Sequence, residues 1–308
     1  MQVAYSLDRP ITDQPVVLTM GKFDGMHGGH QLLIRRAVER AHQLGLSSAV
    51  LTWDPSPDAV VHPERQIMPL TSPNERRALI EALDVTYLLL LPFTRETMAT
   101  PADVYMRQLH AALPLRELWV GEGFSMGRKR EGNIPRLMEI GRELGYTVGT
   151  VSAKLVDDVR VSSTRVRDLL REGRVAEIVP LLERPFALEG PVIHGDARGR
   201  TIGFPTANVA VPSDHALPAD GVYACYVYLG HERHAAVTNI GVRPTFAGLQ
   251  RRVETHLLDF DRDLYGQMVR LSFIERLRGE QKFNGIDELV AQIGRDVAQG
   301  RELLQSEN

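Results

Sequence analysis

The sequence predicts two domains, a doubly wound α/β domain with a parallel sheet, followed by an antiparallel β-barrel with a terminal helix. In the first half, continuous apolar runs of strand length alternate with helical patterns, as in a parallel sheet covered on both faces. After about residue 183, short β-rich runs alternate instead with clusters of Gly, Pro, Asp and Asn. We therefore expect domains over 1–183 and 184–308, and 308 residues are enough for two cores.

The elements of the first half follow one another in a regular order. The predicted strands are PVVLTM, SSAVLTW, VTYLLLLPF, ELWVG and YTVGTV. The predicted helices between them cover 31–44, 73–83, 101–113 and 134–144. Ser72 opens a capping box with Glu75, and Thr100 before a proline predicts a second helix cap of the same kind.

The second half consists of predicted strands and one predicted helix. Its strands are FALEGPVIHG, GVYACYVYL, HAAVTNIG, VETHLLDF and MVRLSFIERL, without a helical period between them. In the last stretch, 286–304, apolar residues recur at approximately helical spacing. We expect this terminal helix to pack against the barrel.

Composition narrows the classes of partner. The net charge of -3 comes from 36 basic and 39 acidic residues. It gives no overall positive field that would indicate binding to nucleic acid or to a membrane surface. No apolar run approaches the roughly 20 residues of a membrane span, and the N-terminus lacks the pattern of a signal peptide. With Cys225 as its single cysteine, the chain cannot form an internal disulfide and is predicted to be cytoplasmic, with its oligomeric state left open.

The stretch TMGKFDGMHGGHQLL is the first candidate site. It follows the first predicted strand, at the carboxyl end of the sheet, where doubly wound folds bind ligands. Gly25, Gly28 and Gly29 let a ligand approach the backbone, and a helix that begins near Gly29 presents free N–H groups to a phosphate. His27 and His30, three residues apart, would share one face and donate to phosphoryl oxygens.

Two other interpretations of these histidines are available. A zinc pair needs at least a third protein ligand, and no neighbouring cluster offers one at a recognisable spacing. Plain structural histidines are the other alternative, but the strand, the glycines and the helix together favour a nucleotide site. The candidate nucleotide contacts of this stretch, besides the histidines, are Gly21, Phe23, Asp24, Gly25 and Gly28.

This stretch resembles the signature of nucleotidyltransferases, in which a histidine-glycine-histidine segment holds the α-phosphate of a nucleoside triphosphate. A second element, VSSTRVRDLL, resembles the segment with which that family contacts the β- and γ-phosphates. Taken alone, its serines and threonine would be a helix N-cap. The resemblance implies phosphate contacts by Ser162, Ser163, Thr164, Arg165 and Arg167.

Four further motifs lie in the second half. GDARGRTIGFPTANV, NIGVRPTF, VETHLLDFDRDLYG and RLRGEQKFNGIDELVAQI are similar to the riboflavin kinase domain. From about residue 16 to 293, the chain resembles the bacterial bifunctional riboflavin kinase/FMN adenylyltransferases. The resemblance implies that the barrel phosphorylates riboflavin to FMN and that the α/β domain adenylylates FMN to FAD, releasing pyrophosphate. It also implies ATP as co-substrate, Mg²⁺ as cofactor, and riboflavin, FMN and FAD as substrates or products.

The kinase motifs contain candidate metal and phosphate ligands. Thr206 and Asn208 carry oxygens and alternate along an extended chain, which suits a hard cation, although Pro, Thr and Asn also form turns. Gly195, Gly199 and Gly203, with Arg198 and Arg200, would form the loop that covers the phosphates.

Glu254 is the candidate general base. It lies in a largely apolar predicted strand, where a carboxylate is costly unless it has a partner or a task. The resemblance implies that it accepts the proton of the riboflavin hydroxyl, whereas strand alternation would make it a solvent-facing residue. Arg278 and Phe283 are further candidates for holding nucleotide or flavin.

For adenylyl transfer, the resemblance implies in-line attack by an FMN phosphate oxygen on the α-phosphorus of ATP. His27 and His30 would act at the α-phosphate, and Ser163 and Thr164 near the pyrophosphate, with charge from Arg165 or Arg167. Asp24 either orients a histidine or caps the turn.

The sequence departs from the family at three positions. Ser56 stands where relatives usually have a histidine between prolines, and Gly123 and Ser125 replace the usual Asn or Asp and the frequent Arg. Gly123 and Phe124 are nevertheless candidate flavin contacts, and the basic run 128–130 could compensate or be a solvated loop. Two alternatives therefore stay open: a riboflavin kinase with a weakened adenylyltransferase domain, and a flavin- or nucleotide-binding regulator without turnover.

Overall fold

The computed structural model describes residues 1–65, 67–195, 198–245 and 248–305. The chain divides into two compact units, Met1–Ser163 and the part from Thr164 onward. The domain boundary expected after residue 183 stays a prediction. Among the described residues, no helix is both long and apolar enough to cross a membrane.

The first unit is built on a six-stranded parallel sheet with the order β1-β4-β3-β2-β5-β8. Its strands are β1 Gln2–Ala4, β2 Val16–Met20, β3 Ser47–Trp53, β4 Tyr87–Leu91, β5 Leu115–Gly121 and β8 Thr147–Val151. The unit also contains two separate two-stranded hairpins, β6 Ser125–Met126 with β7 Gly132–Asn133, and β9 Leu155–Val156 with β10 Val159–Arg160. The helices are α1 Gly28–Leu44, α2 Pro57–Val61, α3 Pro73–Glu81, α4 Arg95–Ala99, α5 Ala102–Ala112 and α6 Ile134–Leu144.

Helices cover both faces of this sheet, which confirms the doubly wound prediction. All five residues of β2 are buried. Leu18 packs in one core cluster with Leu109 of α5 and Ile140 of α6, whereas Val17 packs on the other face with Ala37 of α1. The strand order reverses between β2 and β5, so the loop after β2 lies at the switch point where such sheets bind ligands.

One predicted helix cap is confirmed and the other is wrong. The Ser72 side chain accepts a hydrogen bond from the Glu75 N–H at the start of α3. Thr100, however, donates its hydroxyl to the carbonyl of Glu96, and α5 begins only at Ala102. The Ala102 N–H is capped by the Glu131 carboxylate from another loop, so a tertiary contact replaces the local cap.

The second unit is a closed antiparallel barrel with the order β11-β12-β15-β14-β13-β16, in agreement with the predicted barrel. Its strands are β11 Phe186–Ile193, β12 Ala207–Val209, β13 Gly221–Leu229, β14 Glu232–Thr245, β15 Gly248–Leu257 and β16 Met268–Gly279. Its helices are α7 Ser163–Glu172, which starts at the end of the first unit, α8 Val179–Leu182, α9 Arg198–Thr201 and α10 Ile286–Gln305.

The terminal helix α10 packs on the outside of the barrel, as the sequence predicts. Leu304 joins a buried cluster with Ala224 and Tyr226 of β13. The Tyr226 hydroxyl donates to the Leu304 carbonyl at 2.7 Å. At Gly300 an added Cβ would lie 2.8 Å from Val237 of β14, so this glycine lets the helix approach the strand closely.

Candidate active sites

The histidine loop, residues 21–27, connects β2 to α1. His27 is the N-cap of α1, and its Nδ1 accepts a hydrogen bond from the His30 N–H at 3.3 Å. The two imidazoles stack with their centroids 3.6 Å apart, and the Phe23 ring meets His30 edge-on. The structure thus brings the two predicted histidines together at a helix N-terminus, where free N–H groups favour an anion.

Glycines leave room for this arrangement. At Gly21 an added Cβ would lie 3.0 Å from the Phe23 ring, and at Gly29 it would lie 3.2 Å from the His27 ring. Gly25 has φ +78, and a Cβ there would lie 2.8 Å from Leu70. Gly28 is the buried first residue of α1. Side chains at these positions would displace the rings or strain the turn.

Both histidines are held neutral. Burial lowers the pKa of His27 to about 4, and burial together with the neighbouring His27 lowers the pKa of His30. Because Nδ1 of His27 accepts a backbone hydrogen bond, its proton resides on Nε2, which can donate to a ligand. Within the described part of the chain, Nδ1 of His30 is buried without a hydrogen-bond partner.

Asp24 helps to hold the turn of the histidine loop in place through both its side chain and its backbone carbonyl. Its Oδ1 accepts from the Leu70 N–H at 2.8 Å, and the following Gly25 N–H donates to the Thr71 hydroxyl. The Ser163 hydroxyl donates to the Asp24 carbonyl at 2.9 Å. Of the two roles considered for Asp24, these contacts favour fixing the turn. They also join the histidine loop to the second nucleotidyltransferase motif through Ser163.

The rest of that second motif lies around the start of α7. Ser162 precedes the helix, and Thr164, Arg165 and Arg167 lie on its first turns, within the second unit. Their contacts with phosphates stay predictions.

Arg160, which the local motifs do not single out, acts electrostatically on the histidine loop. It ends the β9–β10 hairpin, and its charge lowers the pKa of His27. Its Nη2 lies 3.9 Å from the position that a Cβ at Gly123 would occupy. The exposed Gly123 and half-buried Phe124 follow β5, so this departure from the family opens space beside a cation. The available signal was an arginine directly before the VSST motif.

In the barrel, three polar side chains lie in register on neighbouring strands. Glu254 of β15 pairs with Asn208 of β12 on one side and with Asn239 of β14 on the other. Directly opposed residues share one face of a sheet. Glu254 is half-buried, and its neighbours Val253 and Thr255 are buried. Strand alternation therefore directs Glu254 to the outer face, as one of the two interpretations expected, but beside two amides.

Two glycines of the predicted phosphate-covering loop (the glycine loop), Gly195 and Gly199, lie close to the two candidate metal ligands, Asn208 and Thr206. At Gly195 an added Cβ would overlap the Asn208 amide, and at Gly199 it would lie 3.3 Å from the Thr206 hydroxyl. The His256 ring nitrogen lies 2.7 Å from the carbonyl of Pro205 and fixes the turn before Thr206. Asn208 itself lies within strand β12, not in a turn.

The loop's remaining candidates are less completely defined. Gly203 has φ +85 with open space around it, and Arg200 is exposed in α9. The side chain of Arg198 lies outside the described residues.

Two residues near this cluster were not expected from the sequence. Asn239 is the first residue of the NIGVRPTF motif and lies on β14. At Gly241 an added Cβ would overlap a carboxylate oxygen of Glu280, which places a second acidic group beside β14. Cross-strand register and a close backbone approach reveal these residues, and neither is visible in a local motif.

Arg278 is engaged in a structural ion pair. Its guanidinium donates to both carboxylate oxygens of Asp296 at 2.8–3.0 Å, and the Asp296 side chain is 4% exposed. The Arg278 guanidinium also lies 5.8 Å from the Phe283 ring centroid. These contacts tie α10 to β16, and flavin contacts by Arg278 and Phe283 stay predictions.

The neutral histidines predict a pH-dependent stability of the first unit. Between pH 6.5 and about 4, the unfolded His27 takes up a proton that the folded ring does not, so stability is lost as pH falls. Replacing His27 with Gln should reduce the fall in unfolding free energy between pH 8 and pH 5 by about 2 kcal/mol. Urea unfolding followed by tryptophan fluorescence measures this, because Trp53 and Trp119 both lie in the first unit.

Replacing the exposed His42 with Gln is the matched control and should leave the pH dependence unchanged. Equal pH dependence in the parent and the His27 variant would contradict the buried neutral state.

Comparisons with known proteins match both halves of the chain. A family model described as FAD synthetase matches residues 9–165, and one described as riboflavin kinase matches residues 182–304. A bifunctional riboflavin kinase/FMN adenylyltransferase from Escherichia coli is 38% identical over 93% of this chain and 92% of its own. The protein of the same name from Listeria monocytogenes is 36% identical over 92% and 91%.

One solved structure aligns with nearly the whole of this chain. A Streptococcus pneumoniae chain described as a macrolide-efflux protein is 30% identical, with a TM-score of 0.89 over 97% of this chain and 98% of its own. The sequence relatives favour the bifunctional enzyme over the kinase-only and regulator alternatives. The chain belongs to the bifunctional riboflavin kinase/FMN adenylyltransferase family.

Proposed function

We propose that each of the enzyme's two reactions takes place at one of the two clusters described above. Riboflavin is phosphorylated around Glu254 in the barrel, and FMN is adenylylated at the histidine loop of the first unit. The register of Asn208, Glu254 and Asn239 supports the first assignment. The stacked, neutral histidines at the start of α1 support the second.

In the kinase reaction, Glu254 accepts the proton of the riboflavin hydroxyl as its oxygen attacks the γ-phosphorus of ATP. The phosphoryl group moves to that oxygen, and ADP leaves. Asn208 and Asn239 flank the carboxylate and hold its orientation. The glycine loop over Thr206 and Asn208 brings backbone close to the phosphates.

Thr206 and Asn208 fit a magnesium site. Their oxygens are hard ligands, and two protein ligands completed by substrate phosphates are typical of Mg²⁺ bound with ATP. Bound there, Mg²⁺ would neutralise charge on the phosphates of ATP. The fit of Gly195 and Gly199 against these side chains keeps both in place.

In the adenylyltransferase reaction, an FMN phosphate oxygen attacks the α-phosphorus and pyrophosphate leaves. His27 donates from Nε2 to an α-phosphate oxygen, and His30 donates beside it, as charge develops. The N–H end of the α1 dipole favours the same anion. Ser163, Thr164, and Arg165 or Arg167 act on the leaving pyrophosphate, and Arg160 adds positive charge beside His27. No covalent intermediate is needed.

The cytoplasmic location and the absence of a nucleic-acid or membrane partner stay predictions from the sequence. The oligomeric state stays open.

Replacing Glu254 with Gln tests the assignment of the kinase base. We expect riboflavin phosphorylation to fall about 10²- to 10⁴-fold because the amide cannot accept the proton. FAD formation from supplied FMN should be unchanged, which controls for folding and protein concentration. Chromatography of flavin products measures both rates. Phosphorylation within twofold of the parent would contradict the role of Glu254.

Replacing Asn208 with Leu tests the metal site. We expect the Mg²⁺ concentration for half-maximal kinase rate to rise at least tenfold, since one oxygen ligand is lost. Replacing Asn208 with Asp keeps an oxygen ligand and should retain the parent's Mg²⁺ requirement within about threefold. Titration of Mg²⁺ at fixed ATP measures this. An unchanged requirement in the Leu variant would place the metal elsewhere.

A further inference from the structure

The histidine loop has an unfavourable backbone. Phe23 and Met26 adopt positive φ angles of 49 and 45, and Gly25 between them has φ 78. Left-handed conformations of residues other than glycine cost on the order of 1–3 kcal/mol each and persist only where the surroundings hold them. The loop that carries His27 therefore needs contacts with other segments to hold its conformation. Hydrogen bonds within the loop do not supply all of this support.

Arg76 of α3 contacts the start of this loop. Its Nη1 donates to the carbonyl of Lys22 at 3.2 Å, directly before Phe23. Its Nη2 donates to the carbonyl of Trp53 at 3.1 Å, where β3 ends. The Thr52 hydroxyl donates to the same Lys22 carbonyl. The planar guanidinium thus binds the backbone just after β2 and at the end of β3, which are adjacent strands of the sheet.

The position of Arg76 is costly for a cation. The residue is 5% exposed, and it lies in the first turns of α3, where the helix dipole is unfavourable to positive charge. Burial lowers the pKa of its guanidinium, while the charges of Asp54 and Asp24 act in the opposite direction. A buried charge persists where its hydrogen bonds are needed, and here these bonds end on two backbone carbonyls.

We propose that Arg76 is a positioning residue for adenylyl transfer, which fixes the path of the histidine loop through Lys22 and ties it to the end of β3. The inference rests on the proposed role of His27 and His30 at the α-phosphate. Neighbouring contacts complete the support: Leu70 and Thr71, in the segment before α3, bind Asp24 and Gly25. Within the described part of the chain, the hydrogen bonds of the guanidinium end on the backbone carbonyls of Lys22 and Trp53, so its effect on the reaction is exerted through the loop.

Replacing Arg76 with Met tests this proposal in the full chain. We expect kcat for FAD formation from FMN to fall roughly 10- to 100-fold, because small displacements of catalytic groups have effects of this size. The KM for ATP should change less than threefold, and riboflavin phosphorylation by the same sample should be unchanged. Replacing the exposed Arg77 of the same helix with Met is the matched control and should alter neither reaction.

Hydrogen exchange separates positioning from global stability. In the Met variant, amides of 19–30 should exchange at least tenfold faster, while those of α6, Ile134–Leu144, keep the parent's protection. Replacing Arg76 with Lys keeps the charge but not the planar fork, and it provides a second variant if the Met variant fails to fold. We expect it to show the same selective exchange and at least a fivefold loss of kcat.

Two results would overturn the proposal. The first is adenylyl transfer within twofold of the parent in both Arg76 variants. The second is loss of activity with equal loss of protection in 19–30 and α6 in both variants, which would make Arg76 a purely structural residue. His27→Gln and His30→Gln distinguish a failure of the underlying site: if both retain full adenylyl transfer, the proposed α-phosphate site is wrong regardless of Arg76.

Discussion

The first unit depends on the fixed path of the chain between β2 and α1. In seven residues the backbone must leave a fully buried strand, pass through left-handed conformations and start a helix that His27 caps. Contacts from distant segments hold this path, through Asp24 to Leu70 and to Ser163. The stacking of His27 on His30 and their neutral state follow from it, because both require the rings to be buried at the helix start.

In the barrel, strand register determines where the candidate site residues lie. Closure of six antiparallel strands fixes the register, and register alone places Asn208, Glu254 and Asn239 in one line. Glycines at 195 and 199 then allow a loop to lie against the polar side chains. Helix α10, held by the ion pair of Arg278 and Asp296, packs against Ala224 and Tyr226 of β13 through Leu304.

Local and periodic features could be predicted from the sequence. The continuous apolar strands predicted a sheet covered on both faces, and Ser72 caps α3 as expected because its partner is only three residues away. Thr100 did not cap α5, since Glu131 supplies the acceptor from a separate loop. Arg160, Asn239 and Arg76 were missed for the same reason: their neighbours are determined by tertiary contacts between distant segments, which a local pattern does not encode.

The most direct test of the central claim follows two labels through the unmodified enzyme. Riboflavin is incubated with Mg²⁺ and ATP labelled at either the α- or the γ-phosphate, under air and with reductant, and the flavins are separated over time. Two successive reactions in one chain predict γ-label first in FMN and then in FAD, and α-label only in FAD. FMN that accumulates without α-label ever entering a flavin, even with fresh ATP and reduced flavin, would contradict the account.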